Sequence, residues 1–526
     1  MIVLDGSSLT IEEVVAVARD RRPVSFVPLA EKRVEQARQV VLQAAQGEQP
    51  HYGINTGVGR NFDRRIPVGE IEGFNRKLLH SHAVGLPPWA TDEETRAALL
   101  VRLNTALLGR AGLSVQAVRL YRDFLNHGIH PLVPKRGSVG VCDIGCLASI
   151  GLAMMGEGTV RVEGVEKPAL QALAEKGLSP LRLGAKEGLA IVSSNSLSVG
   201  LAALRLEEAG RLLEALDAIY ALSLEAWQAE LSPLDARFDA SHASPGSRAS
   251  AVRVRSFLRG GALERRPASD RIHEPLSFRS AFHIHGAARD ALEWAQASLT
   301  SRLNTADDNP AVFWETGEIV ASAASIDLSG TLAVESLGLA LSHASRAVTA
   351  RLRHFEEDRP HGLPRFLAPN PETLAFATIQ KTFAALDAHI RSQAAPVSAD
   401  FSPLAGNMED IGTNSVLVLE RLEAILDSFW SLAAIELLHA AQAVDLLPPF
   451  ALGTGTARLH AALRARVPML AHDRPLTPDI LEARAVLRQL SSDLSPSFPY
   501  ESNLPDHFGK PIALQRLAAG SVAQAA

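Results

Sequence analysis

Leu197-Ser-Val-Gly-Leu-Ala-Ala-Leu-Arg-Leu-Glu-Glu-Ala-Gly-Arg-Leu-Leu-Glu-Ala-Leu216 sets apolar residues at three- and four-residue steps, with charges only at Arg205, Glu207, Glu208, Arg211 and Glu214. That period is helical rather than extended, and it continues to Leu231. Leu328 to Arg353 and Val416 to Leu447 repeat it. After Asn370, a cap residue followed by Pro371, the residues Phe376, Ile379, Phe383, Leu386 and Ile390 keep the same steps and predict a helix from that cap onward. Alternating patterns are short and few, with Thr159 to Val165 the best strand candidate. The chain is therefore expected to be mainly α. Gly and Pro cluster in the first 160 residues and around 232–247, 259–277 and 357–371. This divides the chain into a loop-rich N-terminal α domain, 1–196, and a long helical bundle with C-terminal helices, 197–526. Ala240 to Pro267 reads as a lid or a connection between helices. Shorter amphipathic helices are expected from Ala457, and the last nine residues, 518–526, should fray.

Composition removes several function classes. Among 526 residues, 47 % are apolar and 21 % charged, ample for a large core. Lys+Arg number 52 against 58 Asp+Glu, a formal charge of −6, which argues against nucleic acid as a partner. Two cysteines exclude a disulfide scaffold and suit a reducing compartment. Met1-Ile-Val-Leu-Asp-Gly6 lacks the basic lead of a signal peptide, and no uninterrupted apolar run approaches about 18 residues. The expectation is a cytoplasmic protein with a small-molecule substrate and no membrane partner.

Local patterns narrow the chemistry less. Cys142 and Cys146 have no His-rich partner stretch at ligand spacing, so no metal site is expected. Gly137-Ser-Val-Gly140 lacks the lysine or third glycine of a phosphate loop. Three polar, turn-forming segments stand out: Tyr52-Gly-Ile-Asn-Thr-Gly-Val-Gly59, Pro134-Lys-Arg-Gly-Ser-Val-Gly-Val-Cys-Asp143 and Asn304-Thr-Ala-Asp-Asp-Asn-Pro310. Alone, each reads as a surface connection.

Together, and in order, they resemble the aromatic amino acid lyase superfamily, which includes histidine and phenylalanine ammonia-lyases. Tyr52-Gly-Ile-Asn-Thr-Gly57 resembles the family's tyrosine loop, and Leu79-His-Ser-His-Ala-Val-Gly85 places His82 at its substrate-pocket histidine. Pro131 to Gly140 leads into the cofactor-forming site, and Met154-Met-Gly-Glu-Gly158 closes the helix that follows. Ser277-Phe-Arg279, Asn304 to Pro310 and Asn407-Met-Glu-Asp410 resemble three more family segments. The resemblance implies an ammonia-lyase-like bundle assembled as a homotetramer, with sites drawing residues from three subunits.

The departures are more informative. Family members cyclise Ala-Ser-Gly into an electrophilic methylidene-imidazolone, within Gly-Ala-Ser-Gly-Asp-Leu-Ala. Here the segment reads Gly140-Val-Cys-Asp-Ile-Gly-Cys-Leu-Ala148, one residue short. The simplest alignment deletes the glycine and leaves Val141, Cys142 and Asp143 as a vestige. Ring closure uses the amide nitrogen after the central residue, where glycine avoids a Cβ clash, so no cofactor is expected. The family's Tyr-Ser-x-Arg reads Leu276-Ser-Phe-Arg279, without its catalytic tyrosine. The asparagine beside the cofactor appears as Ser193, unless Asn195 replaces it.

What is lost surrounds the electrophile; what would bind a carboxylate and take a proton is kept. A quaternary ammonium has no lone pair for an electrophile and leaves as a neutral tertiary amine. The sequence thus resembles the ergothionase branch, which eliminates trimethylamine from the betaine ergothioneine to give thiourocanate. In that reading Tyr52 is the base, its pKa lowered by the loop or coupled to an acceptor. Arg279 and Asn309 hold the carboxylate, and Lys381 and Glu409 contact the thio-imidazole. His82, Ser193 and Asn195 line the pocket. Taken singly, Lys381 opposes the apolar stripe of its helix like a solvated lysine, Glu409 resembles a surface carboxylate, Arg279 an ion-pair partner, and His82 an ordinary histidine. Two alternatives stay open: an ammonia-lyase or aminomutase with an irregular electrophile at Val141-Cys142-Asp143, and a pseudoenzyme that only binds.

Overall fold

The computed structural model describes residues 1–241, 244–265, 273–357 and 362–491. The fold is mainly α. Its axis is the helix Ser196–Trp227, and Leu197, Leu201, Leu204, Leu212, Leu216, Ile219 and Leu222 bury its several faces. A helix apolar all round belongs inside, and this one is covered by Asp92–Ala106, Ala281–Leu303 and Ser415–Leu446. Gly200 permits one close crossing: a Cβ there would stand 2.8 Å from the Ala98 amide nitrogen. The helix stops where Gln228 turns left-handed, at φ 51°. Leu328–Glu357 packs on both Ala281–Leu303 and Ser415–Leu446. The most apolar windows of Glu187–Trp227 and Ser415–Leu446 could cross a membrane by length and composition, yet they are 100 % and 83 % buried among other helices. Their hydropathy is core.

Three of the long helices run in parallel. Ser198, Thr331 and Ser415 line one small cavity at their starts. Near their ends, Ser223 Oγ donates to Glu436 Oε1 at 2.8 Å, and Arg351 grips the same carboxylate at 2.5 and 2.9 Å. Ala281–Leu303 runs back the other way. At 1.5 Å per residue, the 32 residues of Ser196–Trp227 separate the two ends by about 48 Å.

The N-terminal region adds short pairings. Ile2–Leu4 pairs parallel with Val24–Phe26, Leu86–Trp89 antiparallel with Pro134–Arg136, and Ala311–Phe313 antiparallel with Glu318–Val320. The expected strand is a hairpin, Thr159–Val162 with Val165–Pro168, extended by His130–Pro131. A buried apolar cluster runs from Ile2 to Leu487, straight through the expected boundary at 196/197. A second, smaller cluster includes Ile54 and lies beneath the Tyr52 loop.

Two sequence expectations change. The helix expected from Asn370 begins at Gln380. The Asn370 side chain instead accepts from Glu372 N at 3.1 Å and Thr373 Oγ1 at 2.8 Å, and Asp473 takes the next two amides. Within Ala240 to Pro267 the described part is chiefly a helix, Pro245–Leu258, packed on the bundle; the rest lies partly outside the described residues. The tail 518–526 also lies outside them.

Arg351 and Glu436 are fully buried, so removing one partner strands the other charge. Glu436→Ala should cost about 3–5 kcal/mol, seen as a lowered midpoint in chemical denaturation, whereas replacing both by apolar residues of similar volume should cost much less.

Candidate functional site

Tyr52 lies in the turn between the helix Pro28–Gln46 and the loop that leads to Ile71–His82. The Asn55 side chain ties that turn together, donating to the Ala44, Gly47 and Gln49 carbonyls at 2.9–3.2 Å. The Tyr52 hydroxyl accepts from Gly59 N at 2.8 Å. Burial pushes its pKa up; the Gly59 amide opposes this, and the nearby Glu409 charge adds to the rise. The loop therefore does not lower the Tyr52 pKa in the free chain, which leaves coupling to a proton acceptor as the remaining form of the expectation.

Around Tyr52 the structure gathers most of the expected residues. Cys142 is buried in the left-handed region, at φ 61°, with Sγ 3.7 Å from Ser193 Oγ. Burial pushes its thiol up to about 12. Ser193 Oγ also accepts from Asn309 N at 3.4 Å. Asn195 Nδ2 donates to Ser325 O at 2.5 Å, and Asn195 N to Asp307 Oδ2 at 2.7 Å. His82 ends its helix, with Nδ1 2.7 Å from Leu78 O, against the first turn of Ile144–Met154. Glu409 pairs with Leu404 in a tight loop beside Arg60.

Asp143 is fully buried, and its carboxylate is fixed on both oxygens. Ser138 Oγ donates to one at 2.7 Å; Ser198 N and Oγ donate to the other at 2.8 and 3.1 Å. Burial outweighs these donors and pushes the carboxyl up to about 6. Its amide nitrogen donates to Ser194 O at 2.7 Å. The helices Ile144–Met154, Ser196–Trp227, Leu328–Glu357 and Ser415–Leu446 all begin around this segment. Val141 bridges to Ile326, and Thr413 Oγ1 donates to Gly140 O at 3.1 Å. Gly140 is required there: φ is 78°, and a Cβ would stand 2.1 Å from Thr413 Oγ1.

Arg279 and Lys381 lie elsewhere. The turn Leu276–Arg279 packs at the far end of the bundle, where Phe278 stacks on Trp227 with ring centroids 4.4 Å apart. Cys142 lies at the near end, so roughly 45 Å separates it from Arg279 within one chain. Lys381 opens the helix Gln380–Gln393 just after Phe376, which stacks on His439 near the end of Ser415–Leu446. Glu409 precedes the start of that same helix, so Lys381 and Glu409 do not meet within one chain. The helix lengths set the two roughly 30 Å apart.

Sequence reasoning missed Ser138, Ser198, Asp307 and Ser325, which fix Asp143, Asn195 and Cys142. Ser138 and Asp307 stood inside noted segments; Ser198 and Ser325 carry no local signal. Arg102 holds the adjacent Asp308 at 2.8 and 3.2 Å, both side chains fully buried, and so anchors the loop that presents Asn309. A charged groove of about 680 Å³, lined by Lys135, Arg205, Glu423 and Arg488, lies apart from Tyr52.

With its pKa near 12 the Cys142 thiol is about one part in 10⁴ thiolate at pH 8. Iodoacetamide should leave Cys142 unmodified in the native protein and label it after denaturation, as read by peptide mass spectrometry. Rapid native labelling would contradict the buried neutral thiol.

The profile of the aromatic amino acid lyase family matches residues 9–465. A histidine ammonia-lyase of Anaeromyxobacter sp. (strain K) is 34 % identical over 493 residues, covering 91 % of this chain and 97 % of that one. Among solved structures, the ergothioneine-degrading enzyme ergothionase of Treponema denticola superposes with a TM-score of 0.90 at 37 % identity, over 94 % of this chain and 99 % of that one. Histidine ammonia-lyase of Trypanosoma cruzi gives 0.86 at 27 % identity, over 94 % and 96 %. With the order of its motifs, its bundle and these likenesses in agreement, the chain belongs to the aromatic amino acid lyase family and is a carbon–nitrogen lyase.

Proposed function

We propose that this lyase works without a methylidene-imidazolone and expels trimethylamine from a histidine-derived betaine, converting ergothioneine to thiourocanate. The observation that carries the reading is Asp143. The residues at the family's cofactor position do not suit the ring: closure needs the amide nitrogen after Cys142 to attack the Val141 carbonyl carbon. That nitrogen belongs to an aspartate rather than glycine and donates to Ser194 O at 2.7 Å, and the aspartate's own carboxylate is fixed on both oxygens by Ser138 and Ser198. The likeness to the Treponema denticola ergothionase supports the substrate.

Tyr52, as phenolate, removes the β-proton. The C–H electrons become the Cα=Cβ bond, and the C–N electrons leave with nitrogen as neutral trimethylamine. In the free chain, burial and the Glu409 charge hold Tyr52 protonated. A quaternary ammonium beside the phenol reverses that balance, and an imidazole N–H on Glu409 masks the opposing charge. The substrate itself thus activates the base. Arg279 binds the carboxylate in a planar fork, with Asn309 beside it. Lys381 faces the thione sulfur and stabilises its thiolate form. His82, Ser193 and Asn195 line the pocket.

Such a site needs more than one copy. Arg279 and Lys381 sit at one end of the bundle, Tyr52 and Glu409 at the other, so an antiparallel neighbour completes each site and receives the same in return. The helix Leu328–Glu357 offers a face for it, where Leu328, Leu332 and Leu339 are 45 %, 41 % and 52 % exposed. A homotetramer with shared sites, as the family resemblance implies, is the proposed assembly.

The test is the amine released. Ergothioneine should yield trimethylamine, while its demethylated thiol-histidine parent and histidine should yield no ammonia. The purified chain should show its unmodified mass, because cyclisation around cysteine would remove water and hydrogen sulfide, about 52 Da. Efficient ammonia release from histidine, with that deficit, would instead establish an ammonia-lyase with an irregular electrophile. Binding without turnover of any of the three would establish a binding protein.

A further inference from the structure

The Leu276–Arg279 turn presents two kinds of side chain. Ser277 and Phe278 are buried, while Leu276 is 63 % exposed and Arg279 is half-buried. Residues three apart on a helical turn lie side by side, about 5–6 Å between Cβ atoms, so Leu276 and Arg279 form one outward face. Among the described residues the Arg279 Nε is buried without a hydrogen-bond partner, and its Nη1 lies 3.3 Å from His273 Nδ1. The face has little freedom to move. Arg351 Nη1 donates to Ser277 O at 3.0 Å, the Tyr220 hydroxyl donates to Phe278 O, and Trp227 stacks on the Phe278 ring at 18°. Arg351 is itself gripped by Glu436 at 2.5 and 2.9 Å.

We propose that Leu276 is a specificity-determining residue, the apolar wall against which the substrate's trimethylammonium packs. The inference rests on the betaine reading given above. In an α-betaine the carboxylate carbon and the nitrogen are bonded to the same carbon, about 2.5 Å apart. Once Arg279 holds the carboxylate, the nitrogen substituents must lie beside the neighbour of Arg279 on that face. Three N-methyl groups present only apolar surface, which a leucine side chain covers well. A primary ammonium presents three N–H donors, and leucine offers no acceptor for any of them, so each one shielded from water there is left unpaired. Leu276 therefore discriminates twice, by favouring the methyls and by failing the ammonium. A pocket contact of this kind separates ligands by roughly one to two orders of magnitude.

The experiment compares two ligands in the Tyr52→Phe background, where binding is read without turnover. Calorimetry gives the affinity ratio of ergothioneine to its demethylated thiol-histidine parent. Leu276→Gln, close in volume but carrying an acceptor, should lower that ratio about tenfold through weaker betaine binding and stronger primary-amine binding. Leu276→Met should keep it within about twofold. A merely structural role would weaken both ligands together, so equal losses, or no change in either, would overturn the proposal. Trimethylamine release by the wild-type residue with an unmoved ratio sinks Leu276 alone; failure of the parent background to bind either ligand sinks the betaine reading with it.

Discussion

A single rigid rod sets the terms for everything else. Ser196–Trp227 is buried on all its faces, and its neighbours lie parallel or antiparallel to it over most of its length. Its ends are about 48 Å apart. Tyr52, the proposed base, lies at one end, and Arg279, the proposed carboxylate fork, lies at the other. Nothing in such a bundle bends enough to bring them together, since packed interiors shift by side-chain adjustments rather than by tens of ångströms. Assembly is therefore part of the proposed chemistry, and in that proposal the Arg351–Glu436 pair, far from Tyr52 in its own chain, supports the Arg279 turn that faces another copy.

The near end is an unusual electrostatic setting. Four helices begin there, and their amide ends favour negative charge. Burial nevertheless wins, raising the pKa of Cys142, Asp143 and Tyr52 alike. A desolvated cluster that disfavours anions is suited to a ligand that brings its own cation. Ammonia-lyases of this family build their activating group into the chain; in the proposed reaction the activating group, a fully alkylated nitrogen, arrives with the substrate. The same desolvation that disfavours a phenolate in the free chain strengthens its pairing with that cation once bound.

Much of this was legible in the sequence because its signals are periodic or ordered. The three long apolar runs became the helices Ser196–Trp227, Leu328–Glu357 and Ser415–Leu446, since burial on several faces leaves no competing structure. The ordered motifs brought Tyr52, His82, Cys142, Ser193, Asn195, Asn309 and Glu409 to one end. The failures came from contacts between distant segments. Asn370 and Pro371 read as a helix start, but Asp473 captures the Leu374 and Ala375 amides and holds the chain in turns until Gln380. Ser198 and Ser325 matter only through what they touch, and single serines have no pattern to read.

The division of the site between copies can be measured by subunit complementation. Tyr52→Phe and Arg279→Ala should each abolish trimethylamine release as homogeneous assemblies. Mixed assemblies, formed by co-expression at equal ratio and isolated with two affinity tags, contain sites that take Tyr52 from one copy and Arg279 from another. About a quarter of wild-type activity should return, the fraction of sites with both residues intact under random mixing. Mixed assemblies no more active than their inactive parents would show that Tyr52 and Arg279 do not act across a shared site, and would contradict the account.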